Sequence, residues 1–298
     1  MLAGVIRHAD ERDFEAGFDV IQRVWPRVVG SVAGWVHSVR AEPEEARRRY
    51  WAAEESGRVV GWATAYVDYE SAERPGGFRI SVLEEQRGRG VGGGLYERCA
   101  QHLVTAGVSR VETVSDDADA SASFVRSLGF RHKSTTTVSG VEPAAVVPGT
   151  APAGIELLPL AALDPQLVFA LDAETSVDIP NEENDDFRFE QWYADYWTHP
   201  DLDLERSVAA VADGVPVSFS LLQASGERGM SGMTGTLRSH RGRGLAELVK
   251  RATLVNAAAR GISLAFTHND ATNAPMLRVN EKLGYRPVGS LLGWERTG

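Results

Sequence analysis

The sequence predicts an α/β (α+β) protein made of two tandem domains of one type, each with helices on a mostly antiparallel sheet. Three observations predict this fold class. Arg-Gly-Arg-Gly occurs at residues 87–90 and again at 241–244, each time between an apolar stretch and a stretch with helical periodicity. Other elements recur around it in the same order. Residues 143–155, rich in Pro, Gly and Ala, separate the two halves and are typical of a linker.

The repeat extends well beyond the two loops. Gly90 aligns with Gly244, and a final pair of glycines, Gly129 and Gly284, stands in "SLGF" and "KLGY". A turn and an outgoing strand precede each loop, in "SGRVVGWATAYV" and "ADGVPVSFSLLQ". Because the same elements follow one another twice, we infer a tandem duplication with domains at residues 1–148 and 149–298.

Each predicted domain has the same order of elements. A short strand, in "GVIRHA" and "IELLPL", leads into helical segments and then into two or three antiparallel strands. The glycine loop opens a helix, on which Val91, Leu95 and Leu103, or Leu245 and Leu248, recur at helical spacing. A strand, a short helix and a final strand complete the half. This mixed order favours helices packed on a mostly antiparallel sheet.

Composition limits the function classes. The 298-residue chain is 43% hydrophobic and 24% charged, which is typical of a globular protein, and its net charge is −10. This charge disfavours nucleic acid as a partner and favours a cationic small molecule. Cys99 is the only cysteine, which excludes an internal disulfide or a cysteine-based zinc site. We expect no metal, no signal peptide, no membrane span, a cytoplasmic location, and a monomer or homodimer.

The glycine loops predict an anion site. A strand that ends in a glycine-rich turn and continues as a helix exposes several backbone N–H groups at the positive end of the helix dipole. Glycine lets a ligand approach the backbone closely, and flanking arginines add charge-assisted contacts to phosphate oxygens. Each loop is therefore predicted to hold a pyrophosphate.

Three other interpretations of the loops stay open. "GRGVGG" at residues 88–93 contains the Gly-x-Gly-x-x-Gly of dinucleotide-binding turns, with Glu112 as the ribose acid, but "GRGLAE" lacks the third glycine. An Arg-Gly RNA-binding box is disfavoured because both loops lie within periodic apolar sequence. A tight polar turn that binds nothing is the structural alternative.

Both loops resemble the Gln/Arg-x-x-Gly-x-Gly/Ala pyrophosphate loop of the GNAT superfamily of acetyl-CoA-dependent N-acetyltransferases. Each is followed about 40 residues later by a segment similar to the family's helix ending in Leu-Gly-Phe/Tyr. The double occurrence resembles the tandem type of GNAT protein, similar in organisation to mycothiol synthase. The resemblance implies a splayed sheet in each half and acetyl-CoA as the cofactor.

The resemblance also implies which residues hold acetyl-CoA. The strand before each loop would present backbone groups to the pantetheine arm, and the loop amides would hold the pyrophosphate. In the first half these residues are Val82, Leu83, Arg87, Gly88, Arg89, Gly90, Val91, Gly92 and Gly93. In the second half they are Thr234, Thr236, Leu237, Arg241, Gly242, Arg243, Gly244, Leu245 and Ala246, with Asn269 and Asn273 as hydrogen-bonding groups for the pantetheine.

The implied reaction is direct attack of a small molecule's primary amine on the thioester, in a ternary complex. It needs a base, an oxyanion donor and an acid for the thiolate. We expect the second half to be catalytic, because it keeps an Asn-rich run where the first half has Asp and Ser. His268 is a candidate base, with a structural hydrogen-bonding role as the alternative. Asn280 stands where many members have the tyrosine acid, so either Asn280 only positions the cofactor or another group donates the proton.

Residues 178–197 lie where the family keeps its acceptor-site helices. Asp178 is a second candidate base there, directly or through water. The functional interpretation is a cleft for a cationic amine, and the alternative is a solvated loop over a helix whose aromatics join the core. The residues concerned are Asp178, Glu182, Glu183, Asp185, Asp186, Trp192, Tyr193 and Trp197.

Two further questions stay open at this stage. The chain could be a non-catalytic acyl-CoA sensor, or it could acetylate a cysteinyl amine as mycothiol synthases do. After Tyr285 the sequence has room for one more strand, whereas the family's sheet usually closes with two. We therefore expect that one strand of the second sheet is either absent or supplied by the first half or by the linker.

Overall fold

The computed structural model describes residues 5–177, residue 179 and residues 188–297. The chain forms two compact units that do not follow a single cut in the sequence. The first comprises Met1–Val28, Ser38–Lys133 and Leu292–Gly298, and the second comprises Val29–His37 and Ser134–Leu291. The domain boundary at residue 148 was inferred from the repeat, and it stays a prediction about the duplication.

The first unit is a sheet with helices on both faces. Its strands lie in the order β1, β2, β3, β4 and β5, and neighbours are antiparallel except for the parallel pair β4 and β5. These strands are β1 (Val5–Ala9), β2 (Arg49–Glu55), β3 (Arg58–Val67), β4 (Gly76–Val82) and β5 (Arg110–Asp116). The helices are α1 (Phe14–Val24), α2 (Val32–Ala41), which begins within the second unit, α3 (Val91–Ala106) and α4 (Asp119–Ser127).

The second unit repeats this plan. The strands following β5 in the chain are β6 (Arg131–Val141), β7 (Glu156–Pro159), β8 (Val208–Ala212), β9 (Val215–Ser225), β10 (Arg228–Thr236), β11 (Leu264–Asp270) and β12 (Arg286–Thr297). The helices are α5 (Pro165–Ser176), α6 (Phe189–Trp192), α7 (Leu245–Ala259) and α8 (Ala274–Lys282). The sheet runs β7, β8, β9, β10, β11, and β10 and β11 are its parallel pair. This arrangement confirms the predicted α/β (α+β) class.

In each unit the two parallel strands pair at one end and then diverge. β4 and β5 pair over Gly76–Phe78 and Val111–Thr113, and β10 and β11 pair over Arg228–Met230 and Leu264–Phe266. Beyond these pairs a cavity is lined by residues of both strands. We call the gap between the diverging strands the wedge of each unit. It is the splayed sheet that the resemblance implied.

The two wedges differ in one backbone feature. The register of β10 with β9 shifts between Ser231 and Thr234, whereas β3 and β4 keep one register from Gly61–Val82 to Val67–Gly76. A bulge of this kind leaves backbone groups off the ladder and redirects side chains. The bulge therefore marks the second wedge as the more irregular of the two.

Each unit takes its last strand from the other half of the sequence. In the first unit β12 lies beside β5, and Trp294 of β12 is 1% exposed and donates from Nε1 to Ser115 Oγ at 3.0 Å. In the second unit β11 pairs antiparallel with β6, from Ala265–Val141 to Asp270–Thr136. This exchange explains why the sequence after Tyr285 has room for only one strand.

The helices after the two loops pack as their sequence periodicity predicts. Val91, Leu95 and Leu103 of α3 are buried, as are Leu245 and Leu248 of α7. Among the described residues no helix is both long and apolar enough to cross a bilayer.

Candidate functional site

The two glycine loops have the same backbone geometry. Gly88 and Gly90 have φ of 74° and 84°, and Gly242 and Gly244 have φ of 75° and 76°. This is the left-handed region, which L side chains adopt only at a cost. Cβ atoms built at these four positions would meet no neighbour within 4 Å. Backbone conformation rather than crowding therefore requires glycine, and the space outside each loop is open to a ligand.

Each loop ends at an uncapped helix N-terminus. Gly90 and Gly244 are the N-caps of α3 and α7, and neither helix has a side chain that accepts a hydrogen bond at its cap. The first helical N–H groups thus lack partners within the helix, and the dipole adds partial positive charge there. Both loops consequently fit an anionic group such as a pyrophosphate.

The first arginine of each loop braces it against the preceding strand. Arg87 Nε donates to Val82 O at 3.2 Å, and Arg241 Nε donates to Thr236 O at 3.1 Å. The second arginine of the first loop, Arg89, lies 3.6 Å from Glu55 Oε1. Two copies of one bracing contact support a common origin for the loops.

A cavity of about 460 Å³ runs from the first loop into the first wedge. Of the residues predicted to bind the cofactor, six line it: Val82, Arg87, Gly88, Gly90, Gly92 and Gly93. Leu83 and Val91 are instead buried at 3% and 5% exposure. The rest of the lining is largely apolar and includes Trp25, whose Nε1 donates to Ser81 Oγ at 3.0 Å. One buried oxygen, Asp116 Oδ1, has no hydrogen-bond partner in the described structure.

A cavity of about 520 Å³ occupies the second wedge. Four predicted site residues line it: Thr234, His268, Asn269 and Asn273. The described lining also contains Asp172, Ser176, Lys250 and Asp270, which the sequence analysis did not single out. This cavity is more polar and carries more titratable groups than the first one.

The remaining predicted residues of the second half lie around the loop. Thr236 Oγ1 is 2.8 Å from Ser218 Oγ, Leu237 packs against the core, and Leu245 is buried. Gly242, Arg243 and Gly244 are exposed, and Ala246 is half-buried in the first turn of α7. None of residues 241–246 is among the described residues that line the second cavity.

Two of the predicted asparagines have structural contacts of their own. Asn280 is 2% exposed and donates from Nδ2 to Asn269 Oδ1 at 2.6 Å, while its own Oδ1 is buried without a partner among the described atoms. Asn273 Oδ1 accepts from Met276 N at 3.3 Å and so caps α8. Asn280 therefore orients Asn269 from behind the cavity wall.

His268 is an exposed residue of β11 at the second cavity. The protein atoms around its ring lower its pKa below the ordinary 6.5 by desolvation. The imidazole is consequently neutral at neutral pH, which is the form that can accept a proton.

Lys250 of α7 is the buried cation of the second cavity, with 1% exposure. Its Nζ donates to Thr267 Oγ1 at 3.2 Å and lies 5.1 Å from the centre of the Tyr285 ring. Desolvation lowers the pKa of Lys250 to about 7. The sequence alone gives little indication that a lysine in an amphipathic helix lies buried in a cavity. The signal that could have revealed it is the repeat itself, which aligns Lys250 with Tyr96.

The predicted acidic patch lies outside the described residues, including Asp178, Glu182, Glu183, Asp185 and Asp186. Its neighbouring aromatics are described. Trp192 is 3% exposed, donates from Nε1 to Asp172 Oδ2 at 2.8 Å and packs against Phe169, whereas Tyr193 is exposed. At least Trp192 therefore belongs to the core and orients a carboxylate of the cavity.

Residues 15–130 match the acetyltransferase (GNAT) family. The match lies within the first half of the chain. No curated protein matches the chain significantly.

Solved structures extend the GNAT fold to the whole chain. A tandem GNAT protein from the clavulanic acid biosynthesis pathway superposes with a TM-score of 0.77 at 19% identity, covering 99% of this chain and 98% of that one. A GCN5-related N-acetyltransferase from Sphaerobacter thermophilus gives 0.73 at 18% identity, with 99% and 96% covered. The tandem GNAT fold is thus as predicted for the whole chain.

Proposed function

We propose that the protein is an N-acetyltransferase that moves the acetyl group of acetyl-CoA to the primary amine of a small molecule by direct attack. The observation that carries the proposal is an open glycine loop at an uncapped helix N-terminus beside a wedge, found in both units. Such a loop suits a pyrophosphate, and the wedge beside it has room for a thioester arm. Gly88 to Gly93 and Gly242 to Ala246 would hold the pyrophosphate.

We place the chemistry in the second unit. Acetyl-CoA, when bound, supplies an acetyl thioester that is open to attack by an amine. His268 is suited to take the ammonium proton of the acceptor, because its lowered pKa keeps it neutral at neutral pH. The bulge between Ser231 and Thr234 supports a backbone N–H as the donor to a developing oxyanion.

The acid for the leaving thiolate is a different group from Asn280. The side chain of Asn280 has no titratable proton, and it is turned to Asn269. Water reaching the cavity, or another lining side chain, is the better donor. A cationic acceptor is favoured by Asp172 and Asp270, carboxylates that line the same cavity.

For the first unit a second function is favoured, namely holding an acyl-CoA without turnover. Among the described residues that line its cavity, Arg87 and Asp116 are the titratable ones, and none is a histidine. A site that has the glycine loop but no histidine to accept the ammonium proton is better suited to bind acyl-CoA than to transfer its acyl group. This is the sensor alternative, confined to one unit.

Thiol release from acetyl-CoA against a panel of small amines tests the proposal. We expect Gly244→Glu to abolish release, because it puts a carboxylate in the glycine loop that would hold the pyrophosphate in the second unit. Gly261→Glu is the matched control: Gly261 has φ of 89°, stands in open space and follows the C-terminal end of α7, the opposite end of that helix from Gly244. Release that survives Gly244→Glu would refute catalysis in the second unit. Binding of acetyl-CoA without release for any amine would favour the sensor.

A further inference from the structure

Among the residues that the structure describes, Lys250 is a buried basic group without an acidic partner. Among the described residues it forms no ion pair, and its one hydrogen-bond partner is the neutral hydroxyl of Thr267. An ammonium group has three N–H donors, so two of them have no acceptor within the described structure. Burying such a group without an anion is costly.

The first unit shows that this position does not need a charge. The residue aligned with Lys250 is Tyr96, which packs edge-on against Phe78 and Phe130 with ring centroids 5.5 and 6.4 Å apart. The aligned partners are otherwise alike, since Thr113 matches Thr267 and Phe130 matches Tyr285. The position that Lys250 occupies in the second unit is therefore occupied by an aromatic side chain, Tyr96, in the first unit.

Polar groups surround Lys250 where it lines the second cavity. Ser231 lines the cavity with Lys250, and its Oγ is 2.7 Å from Tyr285 OH. Thr267 Oγ1 lies 3.3 Å from Ser231 O. Lys250 is the only lysine or arginine among the described lining residues, while Asp172 and Asp270 line the walls. The cavity thus offers one anion-binding point and separate carboxylates.

We propose that the second cavity binds an acceptor that carries a carboxylate as well as its amine, with the carboxylate paired to Lys250. The substrate class is that of amino acids and related zwitterions. Asp172, held by Trp192 Nε1 at 2.8 Å, is the carboxylate suited to the ammonium end. The proposal deepens the proposed function, on which its identification of the ligand as an acceptor rests.

The chain offers an unusually direct probe, because Lys133, Lys250 and Lys282 are its only lysines. Lys133 pairs with Glu112 at 2.8 Å and Lys282 with Glu247 at 3.3 Å, so both are internal controls. NMR spectra of protein labelled with ¹³C at lysine Cε are recorded while the twenty common amino acids, and separately their carboxamides, are added. Lys250→Met, which keeps the length without the charge, assigns the signal.

We expect at least one amino acid to shift the Lys250 signal, its carboxamide to leave it in place, and Lys133 and Lys282 to stay unchanged. Equal shifts with the carboxamide would overturn the proposal, as would the lack of a shift with every amino acid. A shift with acetyl-CoA alone would assign Lys250 to the cofactor and overturn it as well. None of these readouts needs turnover, so they are independent of whether the protein acetylates anything.

Kinetics give a second test if thiol release is observed. Lys250→Met should raise the KM for the amino acid roughly tenfold or more, which is the size of a lost hydrogen bond to a charged group. The KM for acetyl-CoA should stay within about twofold. Lys282→Met is the matched surface control. A rise confined to the KM for acetyl-CoA would contradict the assignment of Lys250 to the acceptor.

Discussion

The buried ammonium of Lys250 makes the stability of the second unit depend on pH. In the folded chain its pKa is about 7, against 10.5 for an ordinary lysine. Between these values the unfolded chain binds the proton and the folded chain does not, so this residue's contribution to stability rises from pH 7 to pH 10.5. Below pH 7 its full cost is present. At about 1.4 kcal/mol per pKa unit, the cost is on the order of 5 kcal/mol.

We therefore predict that Lys250→Met is more stable than wild type at pH 6 and that the difference shrinks toward pH 10. Urea unfolding of both proteins across this range measures it. The other titratable lining residues, Asp172, His268 and Asp270, are present in both proteins, so the difference between the two curves isolates Lys250. A difference in unfolding free energy that does not change with pH would show that the charge of Lys250 does not destabilise the folded protein.

The proposed role of His268 as the base predicts a second pH dependence, this time of activity. Its pKa lies below 6.5, so the base is already deprotonated at neutral pH and is lost only on acidification. We predict that kcat for thiol release falls below pH 6.5 in wild type. His268→Gln should lower kcat on the order of a hundredfold and remove this acid limb.

The control for His268→Gln is His8→Gln, a change at an exposed residue of β1. It should leave the pH profile unchanged. If His268→Gln keeps the acid limb, another group is the base.

Strand β12 ties the end of the chain into the first unit. Trp294 is 1% exposed, donates to Ser115 and stacks with Arg126 at 5.2 Å. We predict that Trp294→Ala costs about 3 to 5 kcal/mol of unfolding free energy, because it opens a large cavity and removes a buried hydrogen bond. Trp294→Phe should cost less, since most of the packing stays.

Hydrogen exchange locates this effect. In Trp294→Ala the amides of β5, residues 110–116, should lose protection more than those of β9, which belongs to the second unit. Equal loss at both strands, or none at β5, would contradict the role given to Trp294.

The elements differ in how far sequence predicts them. The glycine loops, α3 and α7 follow from local pattern, since glycine at a left-handed turn and apolar residues at helical spacing act over a few residues. The exchange of β6 and β12 does not, because pairing partners such as Ser115 and Trp294 are 179 residues apart. What the sequence could indicate was the shortage of a strand after Tyr285.

The same division holds for the site. Loop residues such as Gly90 and Gly244 were predictable because backbone conformation demands them. Asn280 was expected at the reacting thiolate, but the structure turns it toward Asn269, a contact set by how α8 packs on β11. Lys250 went unnoticed because a buried lysine looks like a surface lysine until its tertiary surroundings are known.

Across the whole molecule, duplication has produced two similar cradles with different wedges. In the first unit the position aligned with Lys250 is apolar, because Tyr96 packs there with Phe78 and Phe130. The second wedge is polar and titratable, around Lys250 and His268. This difference supports the proposal that the first unit binds acyl-CoA and the second unit catalyses.

Calorimetric titration of acetyl-CoA tests most directly the claim that both loops are anion cradles. The proteins are wild type, Gly90→Glu and Gly244→Glu, with Gly107→Glu and Gly261→Glu as controls at left-handed glycines that stand in open space at the opposite ends of α3 and α7. The account predicts that each loop variant loses the binding site of its own unit while both controls bind as wild type does. Binding that is unchanged in both loop variants would contradict it.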